Sequence, residues 1–358
     1  MHDSSEAAAA QQDKAYAARL WQYKQGETVA LMLHVGRRLG LFERLAGAGP
    51  ITAAALAERT GLHPRWLLEW LRLMTAAKVL VYVDEEHFEL PAIGSELLGD
   101  ESSRAFMLDN FNGGESAATI DGLLESFRTG IGNTYESAGP EGAQRGEARH
   151  WRAARGQVVP VMIPALDGVA EKLGRGCLVA DVGCGDGAVI LALAEAYPNS
   201  RFHAYDPNVH AVARVREIAA GMGLDQVEVI QARGEDLPGN GGYDLVLTFD
   251  CIHDMTDPQR VIEAIRAALR DDGTWFVKDI RSKPRFEDNL RNPMLAMMYG
   301  YSLLACMSSA MSEPGGAGLG TLGFNPQVAE RMSRQAGFSR FTLHDFKDPG
   351  NLYYEVRP

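Results

Sequence analysis

Four cysteines, Cys177, Cys184, Cys251 and Cys306, are all that this chain of 358 residues carries, and no two form a Cys-x-x-Cys pair. That scarcity offers no disulfide frame and no cysteine-built zinc knuckle, and it fits thiols kept reduced in the cytoplasm. Long apolar runs are missing too. Nothing approaches the roughly 18 uninterrupted apolar residues of a membrane-spanning helix. Met1 to Lys14 is polar and alanine-rich, without a basic segment leading into an apolar one, so it does not read as a signal peptide. Positive charge is in deficit, with 35 Lys and Arg against 47 Asp and Glu and a net charge of −12. A nucleic-acid binder gathers cations against phosphates, so nucleic acid is not an expected partner. A cytoplasmic protein with no membrane association is expected.

Apolar residues are plentiful, at 46% of the chain, and a chain of this length prefers two cores to one. Ala15 to Leu45 has helical periodicity. Ala53 to Thr60 and Pro64 to Ala76 read as two short helices joined at Gly61-Leu62, with Leu67, Leu68, Trp70, Leu71 and Met74 on the buried side of the second. Short extended runs follow at Val79 to Val83 and Phe88 to Leu90, around the acidic turn Asp84-Glu85-Glu86. Helix, turn, helix and hairpin describe a winged helix. Its first hundred residues hold ten Lys and Arg against thirteen Asp and Glu. Phosphate positioning needs the opposite sign, so dimerisation and substrate covering are better roles for it than reading DNA. From Cys177 onward strands and helices alternate. The strands fall at Leu178 to Val182, Phe202 to Tyr205, Val227 to Ile230, Leu245 to Phe249 and Trp275 to Ile280. Phe341 to Phe346 and Leu352 to Val356 read as a closing antiparallel pair. The expected fold class is α/β, a largely parallel sheet covered on both faces.

The strongest motif is Asp181-Val182-Gly183-Cys184-Gly185-Asp186-Gly187, where a buried strand turns through glycines into a helix. Glycines let a ligand approach the backbone, and a helix start offers unpaired amides. Asp206 ends the second strand nineteen residues beyond Gly187, placed to accept hydrogen bonds from both hydroxyls of an adenosine ribose. Gly183, Gly185 and Ala188 equally satisfy the dinucleotide fingerprint, and Asp206 suits a NAD ribose. Asp181 tips the balance: beside the turn it can take the ammonium of a methionine tail, whereas an anion does nothing for a pyrophosphate. Cys184, Pro207, Gly234, Glu235 and Phe249 complete the expected cofactor contacts, with Arg233 as a further group able to stack on an adenine.

A second constellation, Phe249 to Pro258, follows the fourth strand. Asp257 and Pro258 start a helix, which leaves Asp250 to Asp254 as loop at the carboxyl edge of the sheet. His253 changes charge near neutral pH and is the candidate general base, supported by Asp254. Asp250 and Asp279, ending adjacent strands, form an alternative hard-cation pair, but the Asp-Asn pair expected of such a site is absent, and no metal is expected. Tyr135, Asp250 and Met298, the last in a methionine-rich helix with Met294, Met297 and Tyr299, are the expected acceptor contacts. The methionines could equally be plain core.

On these motifs the chain resembles class I S-adenosylmethionine-dependent methyltransferases. The stretch around His253 and Asp254 is similar to plant-type small-molecule O-methyltransferases, whose histidine is the base. Glu69-Trp70-Leu71, Phe127 to Tyr135 and Ala317 to Thr321 extend the likeness to bacterial winged-helix methyltransferases. The resemblance implies a Rossmann-like seven-stranded domain preceded by an α-helical winged-helix domain. It also implies S-adenosylmethionine as cofactor, S-adenosylhomocysteine as product, a small-molecule acceptor, and a homodimer formed through the N-terminal domain. The expected division is residues 1–100 for the helical winged-helix dimerisation domain, 101–165 for a helical linker and substrate cap, and 166–358 for the cofactor-binding catalytic domain. A NAD-linked oxidoreductase and a ligand-sensing DNA regulator are the alternatives.

Overall fold

A computed structural model describes residues 2–103 and 105–358. The chain divides between Glu115 and Ser116 into two compact units, so the expected 101–165 segment is shared between them.

In the first unit α1 (His2–Arg38) begins well before the expected Ala15 and is followed by α2 (Leu41–Leu45), α3 (Ala53–Thr60) and α4 (Pro64–Ala76). The Thr52 hydroxyl accepts a hydrogen bond from the Ala55 amide at 3.2 Å and caps α3. Pro64 opens α4, where its missing N–H costs nothing. The α4 face built from Leu67, Trp70, Leu71 and Met74 is buried, and Leu68 half-buried, against Leu41, Phe42, Leu45 and Leu56. Trp70 meets Phe42 edge-on at 5.3 Å and donates its indole N–H to the Met32 carbonyl. The wing is a minimal hairpin of β1 (Val81–Tyr82) and β2 (Phe88–Glu89). Both arginines of α4 are paired, Arg65 with Glu69 at 2.6 Å and Arg72 with Glu86 at 2.9 Å.

The second unit is built on a sheet of seven strands: β3 (Leu178–Val182), β4 (Arg201–Asp206), β5 (Val227–Gln231), β6 (Tyr243–Phe249), β7 (Leu269–Ile280), β8 (Arg340–His344) and β9 (Asn351–Arg357). Their order is β5-β4-β3-β6-β7-β9-β8. β3 to β7 pair in parallel, and β9 runs antiparallel to both its neighbours. Alternate side chains enter two apolar layers. Ala180, Val182, Val246, Trp275 and Val277 face one side, and Val179, Leu245, Leu247 and Phe276 the other. Such two-sided burial is what near-continuous apolar strands require. β3 to β5 step outward in one direction before the chain returns to place β6 on the other side of β3. The carboxyl ends of β3 and β6 therefore flank the reversal point, where open α/β sheets hold ligands.

Candidate functional site

The glycine turn leaves β3 and is tied to β4, because the Gly183 and Cys184 amides both donate to the Tyr205 carbonyl, at 2.8 and 3.0 Å. Gly183, Gly185 and Gly187 all have positive φ. A Cβ on Gly187 would lie 2.8 Å from Val215, whereas one on Gly185 would meet nothing within 4 Å. Gly187 is therefore demanded by packing, and Gly185 marks the open side from which a ligand can reach the backbone. Asp206 is buried, with one carboxylate oxygen accepting from Gly185 N at 2.9 Å and the other from Asn208 N at 2.9 Å. Burial raises its carboxyl above the usual range.

Asp181 is only 3% exposed, and its carboxylate has no hydrogen-bond donor among the described residues. Burial first, then the charges of Asp206 and Asp186, push it up to about 8. Three carboxylates therefore converge on the turn, and among the described residues no lysine or arginine pairs with them. That donor set fits a ligand with a positively charged end and a ribose, and it does not suit a pyrophosphate. Asp186 caps the helix Ala188–Ala196 through the Ala188 amide and holds His150 Nδ1 at 2.5 Å. Gly234 is buried, and a Cβ there would lie 2.8 Å from Val261. Pro207 is exposed beside Asp206.

Arg233 does not stand free to stack on an adenine. Its guanidinium binds Glu313 at 2.5 Å, Thr256 at 2.8 Å and Glu235 at 3.2 Å. Phe249 packs edge-on against Phe276 at 5.4 Å and joins an apolar layer of the sheet.

The loop after β6 lies against this turn: Cys251 Sγ is 3.1 Å from the Val182 carbonyl. His253, 1% exposed, sits between two carboxylates. Its Nδ1 is 2.7 Å from Asp279 Oδ1, and its Nε2 is 3.0 Å from Asp254 Oδ1. Burial would depress the ring's pKa, but the charges of Asp279 and Asp254 outweigh it and hold His253 well above its ordinary 6.5. Asp254 Oδ2 accepts the Tyr135 hydroxyl at 2.7 Å, and Cys306 Sγ lies 3.8 Å from the same hydroxyl. Burial and then Asp254 keep the Tyr135 phenol protonated. Hydrogen bonds thus join Asp279 to His253 and Tyr135 to Asp254, and a 3.0 Å contact brings His253 Nε2 to Asp254 Oδ1, an oxygen that accepts no hydrogen bond from the described residues.

Nε2, the Asp254 carboxylate and Cys306 Sγ also lie within 4.8 Å of one another. Within this group the Tyr135 hydroxyl bonds one Asp254 oxygen, and the other oxygen accepts no hydrogen bond from the described residues.

Tyr135 reaches Asp254 from a strap that the Ser302–Cys306 and Met307–Ala310 helical segments hold in place. Gly132 N donates to the Met311 carbonyl at 2.9 Å and Asn133 N to Ser308 Oγ at 2.7 Å. Asp250 and Asp279 take separate roles and do not form the alternative cation pair. Asp279 is His253's partner. Asp250, strained at φ 54°, binds Lys278 and, at 2.5 Å, Asn351. Met298 contacts Asn292 at 3.5 Å and is not brought to His253. The sequence offers Asp279 only as half of a cation pair, and it singles out neither Cys306 nor His150 for this site. Asp279 had a legible signal, since it ends the strand beside the one that carries His253. No local pattern points to the other two.

A methyltransferase-domain profile matches residues 173–322, and an Rv2258c-like winged HTH domain profile matches residues 27–99. The mitomycin biosynthesis 6-O-methyltransferase of Streptomyces lavendulae is 30% identical over 271 residues, covering 71% of this chain and 75% of that protein. The 8-amino-8-demethylriboflavin N,N-dimethyltransferase of Streptomyces davaonensis is 29% identical over 270 residues, covering 72% of this chain and 77% of that protein. Among solved structures, the mitomycin 7-O-methyltransferase MmcR superposes with a TM-score of 0.68 at 21% identity, covering 96% of this chain and 98% of that one.

Proposed function

Because the chain belongs to the S-adenosylmethionine-dependent small-molecule methyltransferases with an N-terminal winged-helix domain, we propose that it methylates a hydroxyl group, with His253 as the general base. Family membership decides against the dinucleotide alternative. The bound cofactor supplies an electrophilic methyl on a sulfonium. Asp181, Gly183, Cys184, Gly185 and Asp206 would hold it, with Pro207, Gly234, Glu235 and Phe249 toward its adenosine end. The acceptor's O–H gives its proton to the His253 array while the oxygen's electron pair forms the new O–CH3 bond. The cofactor would supply the methyl and leave as S-adenosylhomocysteine, the electron pair of its methyl–sulfur bond staying on sulfur.

The observation that carries this reading is the buried Asp279–His253–Asp254 array on a loop packed against the glycine turn. Asp279 fixes Nδ1 and leaves Nε2 as the nitrogen that exchanges a proton. An unprotonated amine is already nucleophilic before transfer, so a base buried at this depth serves a hydroxyl better. Tyr135 lies at the end of the array, where an acceptor hydroxyl would arrive. We also propose a homodimer formed through the first unit, whose α1 exposes Tyr16, Leu20 and Tyr23 at helical spacing.

The test is a calorimetric titration with S-adenosylhomocysteine. The wild type should bind at micromolar Kd, and Asp206→Ala should lose at least about tenfold. A wild type that does not bind would remove the cofactor assignment.

A further inference from the structure

The residues described so far seat the cofactor and move a proton, but they do not say what kind of molecule is methylated. Beside the segment that presents Cys306 to Tyr135, the second unit forms a cavity of about 310 Å³. One wall is Leu303 and Met307, the latter next to Cys306, and Leu319 closes another. Phe286 and Tyr299 stand at its side with ring centroids 6.0 Å apart, 56% and 41% exposed despite their size. Large aromatic surfaces left open around a hollow are characteristic of ligand pockets.

The charge of the lining is one-sided. Lys283 is its cation, and no acid lines it. The Lys283 ammonium makes no hydrogen bond or ion pair with any described residue, although the chain as a whole has a net charge of −12. The acids that follow it bind Arg285, Glu287 at 3.1 Å and Asp288 at 2.9 Å, and Asp288 feels the Lys283 charge without bonding to it. The loop is also built to keep Lys283 in place. The Asn289 side chain accepts from the Lys283 amide and donates to the Lys283 and Arg285 carbonyls, all within 2.9 Å. An apolar, aromatic-sided hollow whose lining carries one cation and no acid selects a flat ligand with an anionic group at one end. The cavity has room for roughly one or two fused rings.

We propose that this cavity seats the methyl acceptor, and that the acceptor is an aromatic hydroxy acid. Its ring lies against Phe286, Leu303 and Met307, its carboxylate meets Lys283, and its hydroxyl points toward Asp254 and His253. This rests on the methyltransferase reading and adds the acceptor's chemical class to it.

The test uses 6-hydroxy-2-naphthoate, which is fluorescent, and its neutral methyl ester. Both are titrated in the presence of S-adenosylhomocysteine into wild type, Lys283→Gln and Lys283→Glu. Lys283 is exposed, so neither substitution threatens folding. The wild type should prefer the acid by about tenfold, Lys283→Gln should bring the two to near parity, and Lys283→Glu should favour the ester. The ester's own affinity should stay within about threefold throughout. Phe286→Ala should weaken both probes together. Equal binding of acid and ester to the wild type, no binding of either, or a preference that survives Lys283→Gln would overturn the proposal. S-adenosylhomocysteine binding, measured alone in each variant, separates the two readings. If it fails while the acid preference holds, the methyltransferase reading falls. If it holds while the preference is absent, the acceptor assignment falls by itself.

Discussion

Asp254→Asn removes one of the two charges that keep a proton on the His253 ring. A base works in its unprotonated form, so turnover should climb with pH through a limb displaced above the ordinary histidine value of about 6.5. In Asp254→Asn that limb should move to lower pH, and in His253→Gln the rate should fall by about 10²-fold or more. A limb that stays where it was in Asp254→Asn would detach it from His253. Asp181 makes a second prediction at this scale. Raised to about 8, it carries a proton at pH 7 that a bound ammonium would expel. The enthalpy of S-adenosylhomocysteine binding should then differ between Tris and phosphate buffers, and the difference should vanish in Asp181→Asn. Identical enthalpies in the two buffers would count against an ammonium beside this carboxylate. The motif residues Asp181, Gly183, Gly185, Asp206, His253 and Asp254 were legible because spacing alone places them at strand ends. Asp279 was visible as a strand-end acid but was read as half of a cation pair. Its distance from His253 depends on which way each side chain turns, and spacing does not encode that.

Among the elements, the strap that carries Tyr135 depends on one backbone approach. A Cβ on Gly132 would lie 1.9 Å from the Ser308 carbonyl oxygen, and no side-chain rotation relieves a clash with backbone. Gly132→Ala should cost roughly 1–3 kcal/mol of stability and draw Tyr135 away from Asp254. Thermal melting would report the first effect. A fall in turnover of about tenfold with S-adenosylhomocysteine affinity unchanged would report the second. If turnover is untouched despite lower stability, the strap has no part in the reaction. Helices Ala53–Thr60 and Pro64–Ala76 begin and end where capping and periodicity put them. β7 was foreseen from Trp275 and in fact begins at Leu269, with a register shift opposite Tyr243 and Leu245. Asp271-Asp272-Gly273 has turn composition, and only pairing with β6 draws it into the sheet. The strap itself had no such signal, since its hold on Ser308 and Met311 bridges a long stretch of sequence.

At the scale of the whole molecule, strand count and direction were readable, but the order β5-β4-β3-β6-β7-β9-β8 was not, because periodicity does not encode which strands pair. The charge balance pointed away from nucleic acid, and on the surface of α4 Arg65 and Arg72 pair with Glu69 and Glu86. No helix of the described residues is long and apolar enough to cross a membrane. If α1 mediates self-association, light scattering should report about twice the 39.0 kDa of one chain, and Leu20→Glu combined with Trp21→Glu should halve it. A monomeric wild type would dismiss the dimer.

The position of β9 has a consequence for how the protein is made. Residues 351–357 form an inner strand, hydrogen-bonded to β7 on one side and β8 on the other, and Asn351 holds Asp250 at the edge of the site. Until a ribosome has released those residues, β8 has no partner and β7 shows an open edge, a surface prone to aberrant pairing. Folding of this unit is therefore delayed until that strand emerges. A chain truncated just before residue 351 should be found with chaperones or in aggregates, even though it contains His253, Asp254, Asp279 and the entire glycine turn.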